Sequence, residues 1–361
     1  MKLLVLPGDG IGPEISASTV EVLKAADQAF KLGLTFEYAD MGLKTLKSHG
    51  TTLRPEVKEA CAAADAIILG PVSHNVYPTR AEGGINPSGE LRLFFDLYAN
   101  IRPSRARPGL ARTPHPMDLI IVRENTEGFY ADRNMHMGIG EFMPDENMAL
   151  AVRKITAKAS ERIVRAAFEL ARGRRKQVTV VHKANVLRIS DGLFLREARK
   201  VAAQFPDVKC EEVIIDAMAA LLIRDPSKFD VVVTTNMYGD ILSDEAAELS
   251  GSLGLGGSIN RSDTRALAQA QHGSAPDIEG QDKANPSSLI LSAAMLLEWL
   301  GDKHKKPAFG QAAAMITAAV DQALLDPATR TIDIGGRLGT KAFTAALLTE
   351  FNKRAAARRV A

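Results

Sequence analysis

Two aspartates, Asp240 and Asp244, stand four residues apart in the stretch Asn236-Met-Tyr-Gly-Asp-Ile-Leu-Ser-Asp-Glu245. A short β-branched run at residues 229–235 precedes them and reads as a buried strand. From Tyr238 onward the chain turns helical, with apolar Ile241, Leu242 and Leu249. Four-residue spacing on a helix puts both carboxylates on one face, one turn apart. Like charges stacked this way repel unless a cation sits between them or they point into water. Either they are early-turn acids favoured by the helix dipole, or they offer hard oxygen ligands to a divalent cation. Other chemistry-bearing side chains lie at or near the ends of apolar runs. Arg92, Arg102 and Arg123 carry planar forks suited to carboxylates. Each alone reads equally as a surface ion pair, although Arg102 precedes Pro103 in an otherwise apolar stretch. Lys183 closes a strand with no carboxylate beside it in sequence. Near arginines in a desolvated cleft such a lysine has a lowered pKa and can act as a base; otherwise it snorkels to the surface. Tyr130 could donate a phenolic proton or simply pack.

The elements that must position these groups alternate. Residues 2–6 read as a buried strand, followed by the glycine loop Pro7-Gly-Asp-Gly-Ile-Gly-Pro-Glu14 and a helix to about residue 30, with Pro13 suited to its first turn. Gly-x-Gly-x-Gly after a strand invites a dinucleotide site, but it is not the Gly-x-Gly-x-x-Gly fingerprint. Strands at 34–39 and 65–69 flank a helix at 55–64, which argues a parallel α/β sheet. Residues 73–89 read as a loop, and residues 91–100 as helical at least in their first half. Strands follow at 117–122, 177–182 and 210–215, ending near Arg123, Lys183 and Asp216. Residues 149–155 look extended. Helices are expected at 156–172, 191–203, 286–300, 310–325 and 340–352. Residues 251–274 read as loop. Residues 134–147 read either as an extended arm that pairs with another chain or as a surface loop. In open α/β sheets ligands bind outside the carboxyl ends of strands, so these strand ends could bring cations and carboxylates into one crevice.

The chain has 361 residues, with Lys+Arg 45 against Asp+Glu 43. That length suggests about two domains, and the balanced charge gives no case for nucleic acid or an anionic membrane. The two cysteines, Cys61 and Cys210, exclude a disulfide framework and a cysteine zinc site, and they suit a reducing, cytoplasmic setting. The apolar run at residues 1–6 is too short for a signal peptide or a membrane span.

Five pieces stand in an order with a close parallel: Asp96-Leu-Tyr-Ala-Asn-Ile-Arg-Pro103, Val122-Arg-Glu-Asn-Thr-Glu-Gly128, His182-Lys-Ala-Asn-Val186, Asn236 to Asp244, and His272-Gly-Ser-Ala-Pro-Asp-Ile278. With the glycine loop they resemble the metal-dependent β-decarboxylating dehydrogenases of (2R)-3-substituted malates, the isocitrate/isopropylmalate dehydrogenase family, over nearly the whole chain. The resemblance implies two α/β domains with a central mixed or parallel sheet. Residues 1–97 with 251–361 would form a cofactor-binding domain. Residues 98–250 would form a metal, substrate and dimerisation domain with an arm at 131–156. It implies that Arg92, Arg102 and Arg123 clamp the malate carboxylates, with Asn185 also at the substrate. Asp216, Asp240 and Asp244 would bind Mg²⁺ or Mn²⁺, Lys183 would be the general base and Tyr130 the general acid. Asp216 and Lys183 would come from the neighbouring subunit, so the working form would be a homodimer with shared sites. Ile11, His272, Gly273, Ser274, Ala275, Asp277, Ile278 and Asn285 match the cofactor positions. Asp277 could accept both ribose hydroxyls and would repel a 2′-phosphate, which implies NAD rather than NADP.

The family's usual Phe-Glu-Pro-Val before the histidine is replaced here by Ala268-Gln269-Ala270-Gln271. This departure is expected to bear on the cofactor pocket and not on the metal or clamp residues. The turn before the first clamp arginine is Ile85-Asn-Pro-Ser-Gly-Glu90. Its Asn86 and Ser88 resemble, with the two residues exchanged, the polar pair of isocitrate enzymes rather than the leucines of isopropylmalate enzymes. The expected activity is therefore NAD-dependent oxidative decarboxylation of a small hydroxy acid of isocitrate or homoisocitrate type. The alternatives are 3-isopropylmalate or tartrate/D-malate. A non-catalytic regulatory subunit is the different-class alternative, although every lysine, tyrosine and aspartate position is filled.

Overall fold

The computed structural model describes residues 1–130 and 140–360, with side chains described through residue 358. The N-terminal part runs β1 (Lys2–Leu6), α1 (Gly12–Phe30), β2 (Thr35–Tyr38), α2 (Leu43–His49), α3 (Pro55–Ala63), β3 (Ala66–Leu69), α4 (Pro87–Phe94) and β4 (Ala99–Arg105). The middle runs β5 (Asp118–Glu124), β6 (Glu141–Asp145), β7 (Met148–Ala151), α5 (Ala157–Arg172), β8 (Gln177–His182), α6 (Ser190–Ala202), β9 (Lys209–Ile214), α7 (Ile215–Arg224), β10 (Val231–Thr234) and α8 (Asn236–Ser250). β11 (Ile259–Arg261), β12 (Ala266–Gln269), α9 (Ser287–His304), α10 (Pro307–Leu325) and α11 (Thr340–Val360) complete the chain.

Ten strands form one mixed sheet in the order β2-β1-β3-β12-β11-β4-β5-β10-β8-β9. The first five come from residues 1–97 and 251–361, the last five from 98–250. β5, β10, β8 and β9 are mutually parallel, and β4 runs antiparallel to β5 and to β11. The carboxyl ends of β5, β10, β8 and β9 therefore line one edge.

Local chemistry accounts for most elements. Pro13 sits in the first turn of α1, and Lys31 closes that helix in the left-handed region at φ 54°, donating its N–H to Asp27 O. Thr156 caps α5 by accepting from Ala159 N, and Ile163, Val164, Ala167, Phe168 and Ala171 bury one stripe against the sheet. That core lies on one face, under α1, α5, α9, α10 and α11. On the other face α8 and α7 cover β5, β8 and β10, and the N-terminal helices cover β1 and β3. α10 is long and apolar enough to cross a membrane by composition, but its Phe309, Ala312, Ile316 and Val320 are buried against the rest of the fold.

Residues 91–94 are helical, as expected of the first half of 91–100; α4 ends at Phe94, Asp96 turns the chain at φ 46°, and Asn100 lies in β4. Two expectations are corrected. Residues 251–274 are not all loop, because β11 and β12 pair with each other and with β4 and β3. Their three and four residues, among them Ala-Leu-Ala-Gln, carry little β-propensity, and neighbouring strands supply the ladder. Residues 73–89 include two single 3₁₀ turns and the start of α4 at Pro87. Of the expected arm at 131–156, residues 131–139 lie outside the described residues, whereas β6 and β7 pair antiparallel with each other.

Candidate active site

The centre of the site is the packing of β5 beneath α8. The helix begins directly after β10, and Gly239 is where it touches Arg123. A Cβ at Gly239 would stand 2.7 Å from both Cβ and Cγ of Arg123. Only glycine lets strand and helix approach this closely. Asn236, in the first turn of α8, accepts from Arg123 Nε at 3.0 Å and Nη2 at 2.7 Å, and donates to Glu127 O. Arg123 Nη1 pairs with Asp240 Oδ1. From β4, Arg102 Nη1 reaches Asp240 Oδ1 at 3.2 Å, Asp244 Oδ1 at 3.4 Å and Ser243 Oγ at 2.7 Å.

Both guanidiniums are buried, while Asp240 and Asp244 keep 37% and 50% of their side chains exposed. Burial, and next the charge of Arg123, pull Arg102 down to about 10. Burial also raises the Asp244 carboxyl above its ordinary value. Removing an aspartate would strand the charge of a buried guanidinium. Asp240 and Asp244 each use Oδ1 for these contacts, and their Oδ2 atoms accept from no described residue. Two hard carboxylate oxygens at the mouth of the cluster fit a divalent cation. Asn236 and Ser243, which hold the arginines in place, went unassigned in the sequence. Their only signal was a polar residue just past a strand and a hydroxyl one residue before Asp244.

The substituted stretch before His272 meets this cluster, which corrects the expectation that it leaves the metal and clamp residues untouched. Gln271 Nε2 donates to Ser243 O at 2.8 Å and Asp244 Oδ1 at 3.2 Å. Gln269 Oε1 accepts from Ser88 Oγ at 2.9 Å and from Arg92 Nη2 at 3.3 Å. The cause is the pairing of β12 with β3, strands about 200 residues apart in sequence, which carries this stretch into the sheet. Asn86 is the N-cap of α4, its Oδ1 accepting from Gly89 N.

The residues matched to a cofactor gather beside the first glycine loop. Ile11 N donates to Ser274 O, and a Cβ at Gly10 would stand 2.0 Å from that same oxygen. Ser274 and Ser73 share a hydroxyl hydrogen bond at 2.7 Å. His272 Nε2 is buried without a described partner, and burial lowers the ring's pKa. Gly273, Ala275 and Asp277 are exposed and Ile278 is half-buried. Asn285 is buried, donating to Asp333 Oδ2 and accepting from Ser287 N. A free buried ring nitrogen beside an exposed carboxylate and a tight glycine loop fits a dinucleotide.

Lys183 and Asp216 stand apart from the arginine cluster and pair with each other. That contact holds the Asp216 carboxyl below its ordinary range. β8 lies two strands from β5, roughly 10 Å at ~4.8 Å per strand. The strand ends share an edge, but this lysine meets a carboxylate rather than the arginines. Asn185 is exposed in the following turn. Tyr130 lies with its ring centroid 6.0 Å from the Arg123 guanidinium. Among the described residues no three His, Cys, Asp or Glu side chains gather to hold a metal. Several apolar side chains of the same half are exposed: Phe142, Met143, Met148 and Leu150 of the β6–β7 hairpin, Val186 and Ile189 after Lys183, and Ile223 of α7.

A family model described as isocitrate/isopropylmalate dehydrogenase matches residues 2–348. The isocitrate/homoisocitrate dehydrogenase of Thermus thermophilus is 42% identical over 349 residues, covering 96% of this chain and 97% of that protein. The 3-isopropylmalate/3-methylmalate dehydrogenase of Methanocaldococcus jannaschii is also 42% identical, over 344 residues, covering 94% and 95%. The crystal structure of isocitrate dehydrogenase from Methylococcus capsulatus matches with a TM-score of 0.85 at 36% identity, over 97% of this chain and 99% of that one. Relatives equally similar to this chain thus bear the names of different substrates. The agreement of sequence and fold over nearly the full length means that the chain belongs to the isocitrate/isopropylmalate dehydrogenase family.

Proposed function

We propose that the protein is an NAD-dependent, metal-requiring dehydrogenase that oxidatively decarboxylates a (2R)-3-substituted malate of isocitrate or homoisocitrate type. The observation that carries the reaction class is the cluster of two buried arginines against two half-open aspartates at the start of α8. It offers cationic forks for carboxylates and hard oxygens for a cation in one place. Mg²⁺ or Mn²⁺ at Asp240 and Asp244, with Asp216 of another copy, would supply Lewis-acid stabilisation of charge at the substrate C2 oxygen. NAD along the 272–278 loop would supply the hydride acceptor, and Asp277 would favour it over its 2′-phosphorylated form.

The chain's own residues then have separable tasks. Arg92, Arg102 and Arg123 bind and orient the malate carboxylates, and burial strengthens each contact. Lys183 takes the C2 hydroxyl proton, with Asn185 beside it. Tyr130 delivers a proton to C3 after CO₂ leaves. Because Lys183 and Asp216 pair away from the cluster within one chain, their roles require a second copy, and the exposed apolar side chains of the same half support a homodimer. The β11–β4 seam is the boundary we assign between a cofactor-binding unit, 1–97 with 251–361, and a metal, substrate and dimerisation unit, 98–250.

Ser88, Gln269 and Arg92 form one polar cluster at α4, which supports a polar or acidic third substituent. A site that hydrogen-bonds a polar group rejects an apolar analogue strongly. Malate-type acids assayed with NAD and Mn²⁺ test this. Isocitrate or homoisocitrate should exceed 3-isopropylmalate by at least about tenfold in kcat/KM, roughly 1.4 kcal/mol. The substrate assignment fails if 3-isopropylmalate, D-malate or tartrate is best; the whole reading fails if no acid in the panel yields NADH.

A further inference from the structure

On the face of the sheet opposite the arginine cluster lies a cavity. It occupies about 300 Å³ between the end of β4 and helices α10 and α11. Arg102 and Arg105 are three residues apart on β4, so their side chains leave opposite faces. Arg102 enters the cluster described above, and Arg105 enters this cavity. The volume is in the range of small-ligand sites.

The lining has two parts. Ala106, Pro108, Ala318, Leu324 and Leu325 make an apolar floor. Three guanidiniums, Arg105, Arg107 and Arg354, surround a single carboxylate, Asp321. Arg105 Nη2 pairs with Asp321 Oδ2, and Arg107 Nε with Asp321 Oδ1 at 2.9 Å. Those two bonds occupy both carboxylate oxygens. Among the described residues Arg354 Nη2 reaches only Gln322 Oε1, at 3.5 Å, and its Nε is buried without a described partner. Arg107 has a side chain only 9% exposed, and neither of its Nη nitrogens donates to a described residue. Three positive charges against one negative leave the lining two charges positive. Burial still holds Arg107 below its ordinary value despite Asp321, so the neighbouring carboxylate does not fully offset its desolvation.

A buried fork with unused donors over an apolar floor suits one ligand chemistry: an anion whose head accepts from guanidinium and whose tail displaces water from Ala, Pro and Leu. We propose that this cavity binds a small carboxylate with a short apolar tail, its head on Arg107 and Arg354 and its tail between Ala318, Leu324 and Leu325. The site joins β4 to α10 and α11, and so spans the two halves of the sheet without using any residue assigned to the reaction.

Hexanoate is a suitable probe, with hexan-1-ol and hexylamine as uncharged and cationic counterparts, titrated by calorimetry into the full-length protein. Hexanoate should bind saturably at one site per chain, and the counterparts at least tenfold more weakly. Arg107→Met should weaken hexanoate at least tenfold, and Ala318→Phe, which fills the floor, should abolish its binding. Arg354→Gln should weaken it too, and keeps the test open if Arg107→Met does not fold. Saturation with a malate-type substrate should leave hexanoate binding unchanged. The proposal is overturned if hexanoate shows no saturable binding at millimolar concentration, if binding survives Ala318→Phe and Arg354→Gln, or if substrate displaces it.

Discussion

Gly239→Ala is the most direct probe of how the site is built. The added Cβ would lie 2.7 Å from Cβ and Cγ of Arg123 and 3.1 Å from its Cα. Carbon atoms ordinarily meet at about 3.5–4.0 Å, so β5 and α8 must part by roughly 1 Å. None of the clashing atoms is the far end of a flexible chain, so rotation cannot relieve the contact. Overpacking of this kind costs about 1–3 kcal/mol. The helical preference of alanine over glycine returns about 0.5–1 kcal/mol. The net expectation is a loss of up to about 2.5 kcal/mol and a Tm lower by up to a few degrees. Because β5 carries Arg123 and α8 carries Asp240 and Asp244, the same displacement should lower kcat by up to about a hundredfold. Gly192 in α6 is the control: nothing lies within 4 Å of its added Cβ. Gly192→Ala should therefore hold or raise Tm and leave kcat unchanged. Scanning calorimetry and NADH formation on the best acid of the panel read both variants. If Gly239→Ala matches Gly192→Ala in Tm and kcat, the close packing of strand and helix is not what organises the site.

Asp240→Asn should abolish turnover while NAD still binds, and full activity of the unmodified protein in excess EDTA would contradict the metal role. Asp277→Arg removes a repulsion and adds a phosphate partner, shifting preference toward NADP by up to about 3 kcal/mol for a charge-assisted contact; a wild-type preference for NADP in kcat/KM would refute the cofactor assignment. Lys183→Met and Asp240→Asn chains, each inactive alone, should recover about a quarter of wild-type activity when equal amounts are unfolded together and refolded, since half the dimers are mixed and each has one intact site. Recovery of no activity, with mixed dimers demonstrated by mass spectrometry, would place both residues in one chain's site.

Local features were legible because their causes are local. The i, i+4 spacing put Asp240 and Asp244 on one helix face, and α8 presents them so. Thr156 before an amphipathic run marked α5, and β-branched runs marked β8 and β10. The short strands β11 and β12 were not legible, because their ladder partners lie far away in sequence. That omission hid the reach of Gln269 to Arg92 and of Gln271 to Asp244, contacts across more than 170 and about 30 residues respectively.

The sequence by itself determined the family, the glycine positions that permit close approach, and the identity of the charged groups at strand ends, since each depends on residue type and short spacing. Tertiary structure alone decided which charges meet. It set Arg102 and Arg123 against Asp240 and Asp244, and turned Lys183 toward Asp216. It sent Arg105 through the sheet to a separate cavity three residues beyond Arg102. The physical reason is that strand order and register are chosen by burial of the whole core, and a single step of register carries a side chain from one face of the sheet to the other.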